Sequence, residues 1–206
     1  MQVTHLFLKP EPRVDMKPVE QLQFTPNGLK DNVPCQPLRH VLISSLPIAT
    51  ECGLVPGDLR ENIVVDDREL YGLASGTVVA ISEARIRLTF HCEPCKGILA
   101  KVKLRDILHK RGVLGCFLNS GEIRVGDSYS VERKQFDPIP YEIKDRIKWY
   151  VAQQSTPVAA DKLVYEIGLS KSYLRALPAL IRRTPDLDPS RITFKSHQQT
   201  AERTRA

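Results

Sequence analysis

Two segments carry the side chains best suited to chemistry: Gly57-Asp58-Leu59-Arg60-Glu61-Asn62-Ile63 and His91-Cys92-Glu93-Pro94-Cys95-Lys96-Gly97. Arg60, Glu61 and Asn62 set a cation, a carboxylate and a carboxamide side by side, a donor and acceptor set suited to an anion or cofactor pocket. Pro94 holds Cys95 beside the ammonium of Lys96, which favours the thiolate, the form of cysteine that attacks electrophiles and binds soft metals. Together they imply a pocket facing a nucleophilic sulfur. Cys92 and Cys95 also form a Cys-x-x-Cys preceded by His91, a spacing shared by redox pairs and zinc sites. No second Cys/His pair at zinc-like spacing follows, so zinc is not expected. Cys92 reads instead as a thiol able to resolve a sulfur adduct on Cys95, and Cys35, Cys52 and Cys116 as core or surface thiols.

The 206 residues suffice for one sizeable core followed by a smaller one. A chain 42% hydrophobic and 26% charged is ordinary globular material, which excludes fibrous and disordered classes. No apolar run approaches the roughly twenty residues of a membrane span, and the N-terminus lacks the basic and cleavage regions of a signal peptide. A cytoplasmic protein without a membrane partner is expected, with its five cysteines as free thiols. The net charge of +6 permits an anionic partner without requiring one. Its excess leans toward residues 137–206, which hold 12 Lys+Arg against 8 Asp+Glu.

Residues 1–136 read as strands and turns. Short apolar runs such as Val41-Leu42-Ile43, Ile63-Val64-Val65 and Thr77-Val78-Val79-Ala80-Ile81 are separated by Gly, Asn and Pro turn chemistry. The Asn119-Ser120-Gly121 turn followed by Ile123 and Tyr129-Ser130-Val131 predicts a closing hairpin. One helix is expected from Lys101 to Lys110, with Val102, Leu104, Ile107 and Leu108 on a shared face. Pro138 and Pro140 mark a boundary. Beyond it, 137–197 reads as a helical module with helices over 141–153, 158–167 and 171–182, and 198–206 as a disordered tail.

In order, the chain presents Gly28-Leu29-Lys30-Asp31, Leu38-Arg39-His40, Pro56-Gly57-Asp58-Leu59-Arg60-Glu61-Asn62, Glu93-Pro94-Cys95, Arg111-Gly112 and Ile123-Arg124-Val125-Gly126-Asp127. Over residues 1–133 this series resembles the MOSC domain, named for the C-terminal domain of molybdenum cofactor sulfurases. The resemblance implies a mostly β chain built on a mixed β-barrel, and sulfur or molybdenum cofactor handling through Cys95. In a sulfurtransferase Cys95 would carry persulfide sulfur taken from a cysteine desulfurase. In a molybdenum-dependent reductase of N-hydroxylated compounds it would ligate the metal. Arg39, Arg60, Glu61 and Asn62 fall at positions that would bind the cofactor, the guanidinium groups suiting a pterin phosphate. Arg60 stands where many relatives have glycine. Lys30-Asp31-Asn32-Val33 replaces the frequent Gly-Asp-x-His, leaving Cys35 or His40 to supply the polar group.

In the C-terminal module, Leu163, Ile167, Leu169, Leu174 and Leu177 around Gly168 fit a helix-turn-helix, whose second helix would offer Lys171, Tyr173 and Arg175 to nucleic acid. Residues 141–195 also resemble the winged-helix domain of O6-alkylguanine-DNA alkyltransferases, on Arg175-Ala176, Thr184-Pro185 and Asp188-Pro189-Ser190-Arg191. The reactive cysteine of that family is absent, so this resemblance implies a binding module and not alkyl transfer. Acidic Asp161, Glu166, Asp186 and Asp188, with Pro178 inside the second helix, limit the expectation to weak DNA binding, and a helical appendage that only packs on the barrel is the alternative.

Overall fold

The computed structural model describes residues 1–12, 14–94 and 96–194, and the chain divides into two compact units, Met1–Ile139 and Pro140–Ala206. Strands of the first unit are β1 (Val3–Leu8), β2 (Lys17–Val19), β3 (Gln21–Thr25), β4 (Gly28–Leu29), β5 (Val41–Ser45), β6 (Ile63–Val65), β7 (Thr77–Ile81), β8 (Ala84–His91), β9 (Val113–Phe117), β10 (Gly121–Arg124) and β11 (Tyr129–Gln135). Three short helices lie among them: α1 (Leu46–Glu51), α2 (Lys96–Leu99) and α3 (Leu104–Ile107).

Eight strands form one curled sheet in the order β11-β7-β8-β9-β5-β6-β1-β2. It is mixed, because α1 fills the crossover that makes β5 and β6 parallel while the other pairs run antiparallel. The curl brings the start of β1 back to the start of β11: Gln2 bridges Ser128, and the Tyr129 N–H donates to the Met1 carbonyl at 2.8 Å. A separate sheet, β10-β3-β4, carries Leu22, Phe24 and Ile123 against the curled one. The fold is thus mostly β and half-barrel in form.

Side-chain alternation decides which face is core and which is free for chemistry. Val41 and Ile43 of β5, Ile63 and Val65 of β6 and Val113 of β9 all enter the main apolar core. Leu42 pairs with Leu114 across β5 and β9, and both turn to the opposite face, with Asn62 beside them. The run of β7, β-branched except at Ala80, is buried along its whole length, so burial there does not alternate.

Two expectations fail here. The single helix from Lys101 to Lys110 is replaced by α2 and α3, and only Val102 and Ile107 of its expected face are buried; Leu104 and Leu108 are exposed. The closing hairpin does not form either. The Gly126 turn exists, with the Arg124 N–H donating to Asp127 Oδ2 at 2.8 Å, but β10 pairs with β3 and β11 with β7.

The second unit holds α4 (Ile143–Ala152), β12 (Val158–Ala159), α5 (Ala160–Glu166), α6 (Leu177–Arg182) and β13 (Ile192–Thr193), with β12 and β13 parallel. Its own apolar core joins Ile147, Leu163, Ile167 and Leu177. Gly168 ends α5 with φ +74°, a conformation glycine adopts without steric cost. The expected second helix over 171–182 is broken into a 3-10 turn, Lys171–Arg175, and the six-residue α6, because Pro178 has no N–H to donate and is accommodated in the first turn of α6. The 198–206 tail lies outside the described residues. Among those residues no helix is long and apolar enough to cross a membrane.

Candidate functional site

A cavity of about 380 Å³ opens on the face of the sheet opposite the core, where β1 ends and β6 begins. Leu42 and Leu114 contribute its apolar wall. Its charged wall comes from four separate points in the chain: Lys9 just after β1, Arg39 before β5, Arg60 before β6 and Arg111 before β9. No carboxylate lines it among the described residues. Such a concentration of positive charge on concave walls attracts and holds anions.

Arg60, Glu61 and Asn62 are brought to this place but divide their work. Arg60 has φ +61°, a left-handed conformation that favours glycine, and its Nη2 reaches the Val14 carbonyl at 3.5 Å. Glu61 is 1% exposed, and its Oε1 accepts the Gly57 N–H at 2.9 Å, pinning the turn that precedes Arg60. Burial pushes the Glu61 carboxyl up from its ordinary range, against the opposing pull of backbone N–H groups. Asn62 sits between strands: Oδ1 accepts the Leu42 N–H at 3.1 Å, and Nδ2 donates to the Phe7 carbonyl at 3.3 Å. Of the three, Arg60 and Asn62 line the cavity, and Glu61 acts from behind the turn.

Cys92 follows β8 directly and is buried in the cavity wall, anchored by its N–H to the Gly112 carbonyl at 2.8 Å. Its Sγ receives an Arg39 Nη2 donor at 3.7 Å, so a guanidinium addresses the sulfur. Cys95 lies outside the described residues. Cys35 and Cys116 are poorer nucleophiles: burial raises the Cys35 thiol, whose Sγ donates to the Asn27 carbonyl at 3.2 Å, and pushes Cys116 up to about 12. Cys35 and His40, the two residues able to replace the missing polar group, both line the cavity. His40 Nδ1 accepts the Phe117 N–H at 3.3 Å, which places its proton on Nε2, and burial holds its pKa down.

Arg111, Lys9 and Asn32 were not expected in the site. Arg111 had a signal, since it opens an Arg-Gly pair before a strand; Lys9 and Asn32 had none, because only the meeting of β1 with the 28–36 loop, where the Lys9 N–H donates to Asn32 Oδ1 at 2.8 Å, brings them there. A neighbouring cavity of about 500 Å³ shares Arg60 and is edged by Phe7, Met16 and the Lys101–Asp58 ion pair. Among the described residues no cluster of three His, Cys, Asp or Glu could hold a metal ion. In the second unit, Lys171 and Arg175 are exposed on the 3-10 turn, while Tyr173 packs against that unit's apolar core. No continuous recognition helix is present there among the described residues.

The family model of the MOSC domain matches residues 32–130. The YuaD protein from Bacillus subtilis has a similar structure, with a TM-score of 0.56 at 17% identity over 66% of this chain and 96% of that one. YiiM from Escherichia coli matches at a TM-score of 0.51 and 16% identity, covering 91% of this chain and 96% of its own. YiiM from Geobacillus stearothermophilus matches at 0.52 and 14%, over 87% and 98%. At these identities the likeness is one of fold. No curated protein matches the chain.

Proposed function

We propose, from the match of residues 32–130 to the MOSC domain model, that this protein handles sulfur or the molybdenum cofactor through Cys95, as a persulfide carrier and sulfurtransferase or as a molybdenum-dependent reductase of N-hydroxylated compounds. The observation that carries this reading is the cation-lined cavity with the Cys92 thiol in its wall, because Cys95 follows Cys92 by three residues in the chain. In the carrier form, the Cys95 thiolate attacks the outer sulfur of a persulfide on a cysteine desulfurase. One S–S bond breaks as another forms, the donor leaves as a thiolate, and no external oxidant or reductant is needed. Attack of the Cys92 thiolate on the Cys95 sulfur would then expel hydrosulfide and leave a Cys92–Cys95 disulfide, which an external thiol must reduce before the next cycle.

The residues present also suit a phosphorylated pterin: Arg39 and Arg60 offer fork-shaped donors to a phosphate, and thiol sulfur is the soft ligand that molybdenum favours. Bound, the group would supply the redox chemistry of the reductase. The protein's own part is to orient it with the arginines and to keep the Cys92 sulfur out of water.

Elemental analysis and intact mass of protein freshly purified from cells with intact cofactor synthesis and a cysteine desulfurase test the proposal. Molybdenum would indicate the reductase, and a reducible gain of one sulfur atom the carrier; neither would overturn both. Cys95→Ser is expected to abolish loading with the fold retained, since a hydroxyl is close in size but is not a soft thiolate. Cys92→Ser should lose less. Equal and complete losses would favour a Cys-x-x-Cys redox or metal site instead.

A further inference from the structure

The segment that follows Cys95 carries most of this protein's net charge. Residues 96–110 hold five Lys and Arg against one Asp, a net +4 in a chain of net +6. The segment contains α2 and α3, and it packs inward through Ile98, Val102 and Ile107 onto Ala49, Leu54 and Leu59. Its outer side is apolar as well as cationic. Leu99, Leu104 and Leu108 are 40, 52 and 46% exposed, and Val55, next to the buried Leu54, is 63% exposed. These are four of the eleven large apolar side chains that stand exposed among the described residues, and all four surround one small satellite core. Leu104 and Leu108 lie one turn apart, the Leu108 N–H donating to the Leu104 carbonyl at 3.0 Å. Val55 is tied to the same segment by Asp58, which accepts the Val55 N–H at 3.1 Å and pairs with Lys101. An apolar cluster of this kind, rimmed by charge, marks a contact surface.

Charge decides the partner. Asp58 takes up Lys101, and Asp106 lies 3.3 Å from Arg105, but Lys103 and Lys110 have no ion pair among the described residues. The excess is positive, so the complementary surface is acidic with an apolar centre. Two helices of four residues give no continuous amphipathic face to lie in a bilayer, and a phosphate backbone offers nothing to the leucines. An acidic protein meets both requirements. Position decides what that protein does. α2 starts at Lys96, the residue after Cys95, and consecutive Cα atoms stand about 3.8 Å apart. A protein that presents sulfur to Cys95 therefore lays its own surface across the start of this face. We propose that the α2–α3 face is the docking surface for an acidic protein that brings persulfide sulfur to Cys95, with the leucines at the centre of the contact and Lys103, Arg105 and Lys110 meeting carboxylates at its rim. The inference rests on the carrier form of the proposed function, in which the donor gives up its outer sulfur to Cys95 and leaves as a thiolate.

Two sulfur donors separate docking from chemistry. The full chain is loaded either by the purified cysteine desulfurase of the same organism with cysteine, or by glutathione persulfide, which needs no docking surface, and the initial rate of gain of one sulfur is read by intact mass. Wild-type loading from the desulfurase should fall several-fold between low and physiological salt, and polyglutamate should inhibit it. The double variant Lys103→Glu/Arg105→Glu should lose about tenfold or more of that rate, and Leu104→Ser/Leu108→Ser several-fold, while both take sulfur from glutathione persulfide within about twofold of the wild type. All four side chains are exposed, so the satellite core is untouched. Wild-type rates from the desulfurase in both variants overturn the proposal. Equal losses with both donors overturn it as well, because the substitutions would then act on the cysteine loop itself. If the variants instead lose binding to phosphatidylglycerol vesicles and keep desulfurase transfer, the face is a membrane surface and not a protein dock. Wild-type loading by glutathione persulfide with none from the desulfurase ends this inference and leaves the sulfur reading standing, whereas loading by neither donor ends the sulfur reading and this inference with it.

Discussion

At Arg60 the backbone holds φ +61°, a region that costs an ordinary L-residue roughly 1–2 kcal/mol. Glycine would avoid that cost and give back a smaller part of it through its freer unfolded chain. Arg60→Gly is therefore expected to be as stable as the wild type or up to about 1 kcal/mol more stable by denaturant unfolding, while losing anion affinity; clear destabilisation would mean that the side chain, and not its chemistry, holds the loop. The next residue makes a pH-dependent prediction. Burial raises the folded-state pKa of Glu61 above its ordinary value of 4.5, so the folded state binds the proton more tightly than the unfolded state does. The contribution of that proton to stability is full below pH 4.5 and is lost as pH rises through the higher folded value. Glu61→Gln keeps an oxygen for the Gly57 N–H and has no proton to lose. Its thermal midpoint should match the wild type at acid pH and exceed it increasingly as pH rises, and a constant gap would exclude Glu61 as the titrating group. The residue types of this triplet were legible in the sequence as pocket chemistry. Their division into cavity wall, turn anchor and strand bridge was not, because it depends on which strands end beside them.

At the scale of elements, the cavity exists because β1 ends and β6 begins at one place, and Asn62 ties that place together. Its side chain serves the Leu42 N–H and the Phe7 carbonyl, two backbone groups on strands flanking the start of β6. Asn62→Ala leaves both without these partners, a loss of about 2–4 kcal/mol measurable in urea. Asn62→Asp restores only the acceptor and should fall between the two. A loss below about 0.5 kcal/mol for alanine would mean that water replaces the carboxamide without cost. Short apolar runs and turn residues identified most strands, since alternation and turn chemistry are local signals. Partners are not local. Gly126 and Asp127 make a turn after β10, yet Ile123 is buried against Leu22 of β3 while Tyr129 joins Ile81 of β7, so a good hairpin signal lies between two strands of different sheets. Residues 101–110 mislead for a related reason: a satellite core of Leu54, Leu59, Ile98, Val102 and Ile107 selects the side chains it needs and leaves Leu104 and Leu108 outside.

At the scale of the whole molecule, the first unit encloses the curled-sheet core and the second its own helical core, and each core is closed by residues of its own unit. The change of period after Pro138 and Pro140 is a local signal that the sequence displays, whereas the buried cation of the second unit was not visible, because nothing local distinguishes Arg146 from a solvent-facing arginine of an amphipathic helix. In the structure Arg146 closes the start of α4 against the end of α5 by donating to the Pro140, Tyr141 and Ile167 carbonyls. Arg146→Ala removes all three donors from a buried place and should cost about 3 kcal/mol, enough to lower the midpoint of a unit this small by about 10 °C or more. The chain's single tryptophan, Trp149, lies in α4, so its fluorescence follows the second unit alone, while the far-UV signal of the sheet follows the first. In the variant the fluorescence transition is expected to fall well below the wild-type value with the sheet transition held in place, which is the behaviour of two separately cored units. Equal displacement of both signals would instead mean that the units unfold as one cooperative block, and a fluorescence midpoint unchanged by the substitution would mean that the three carbonyls find other donors.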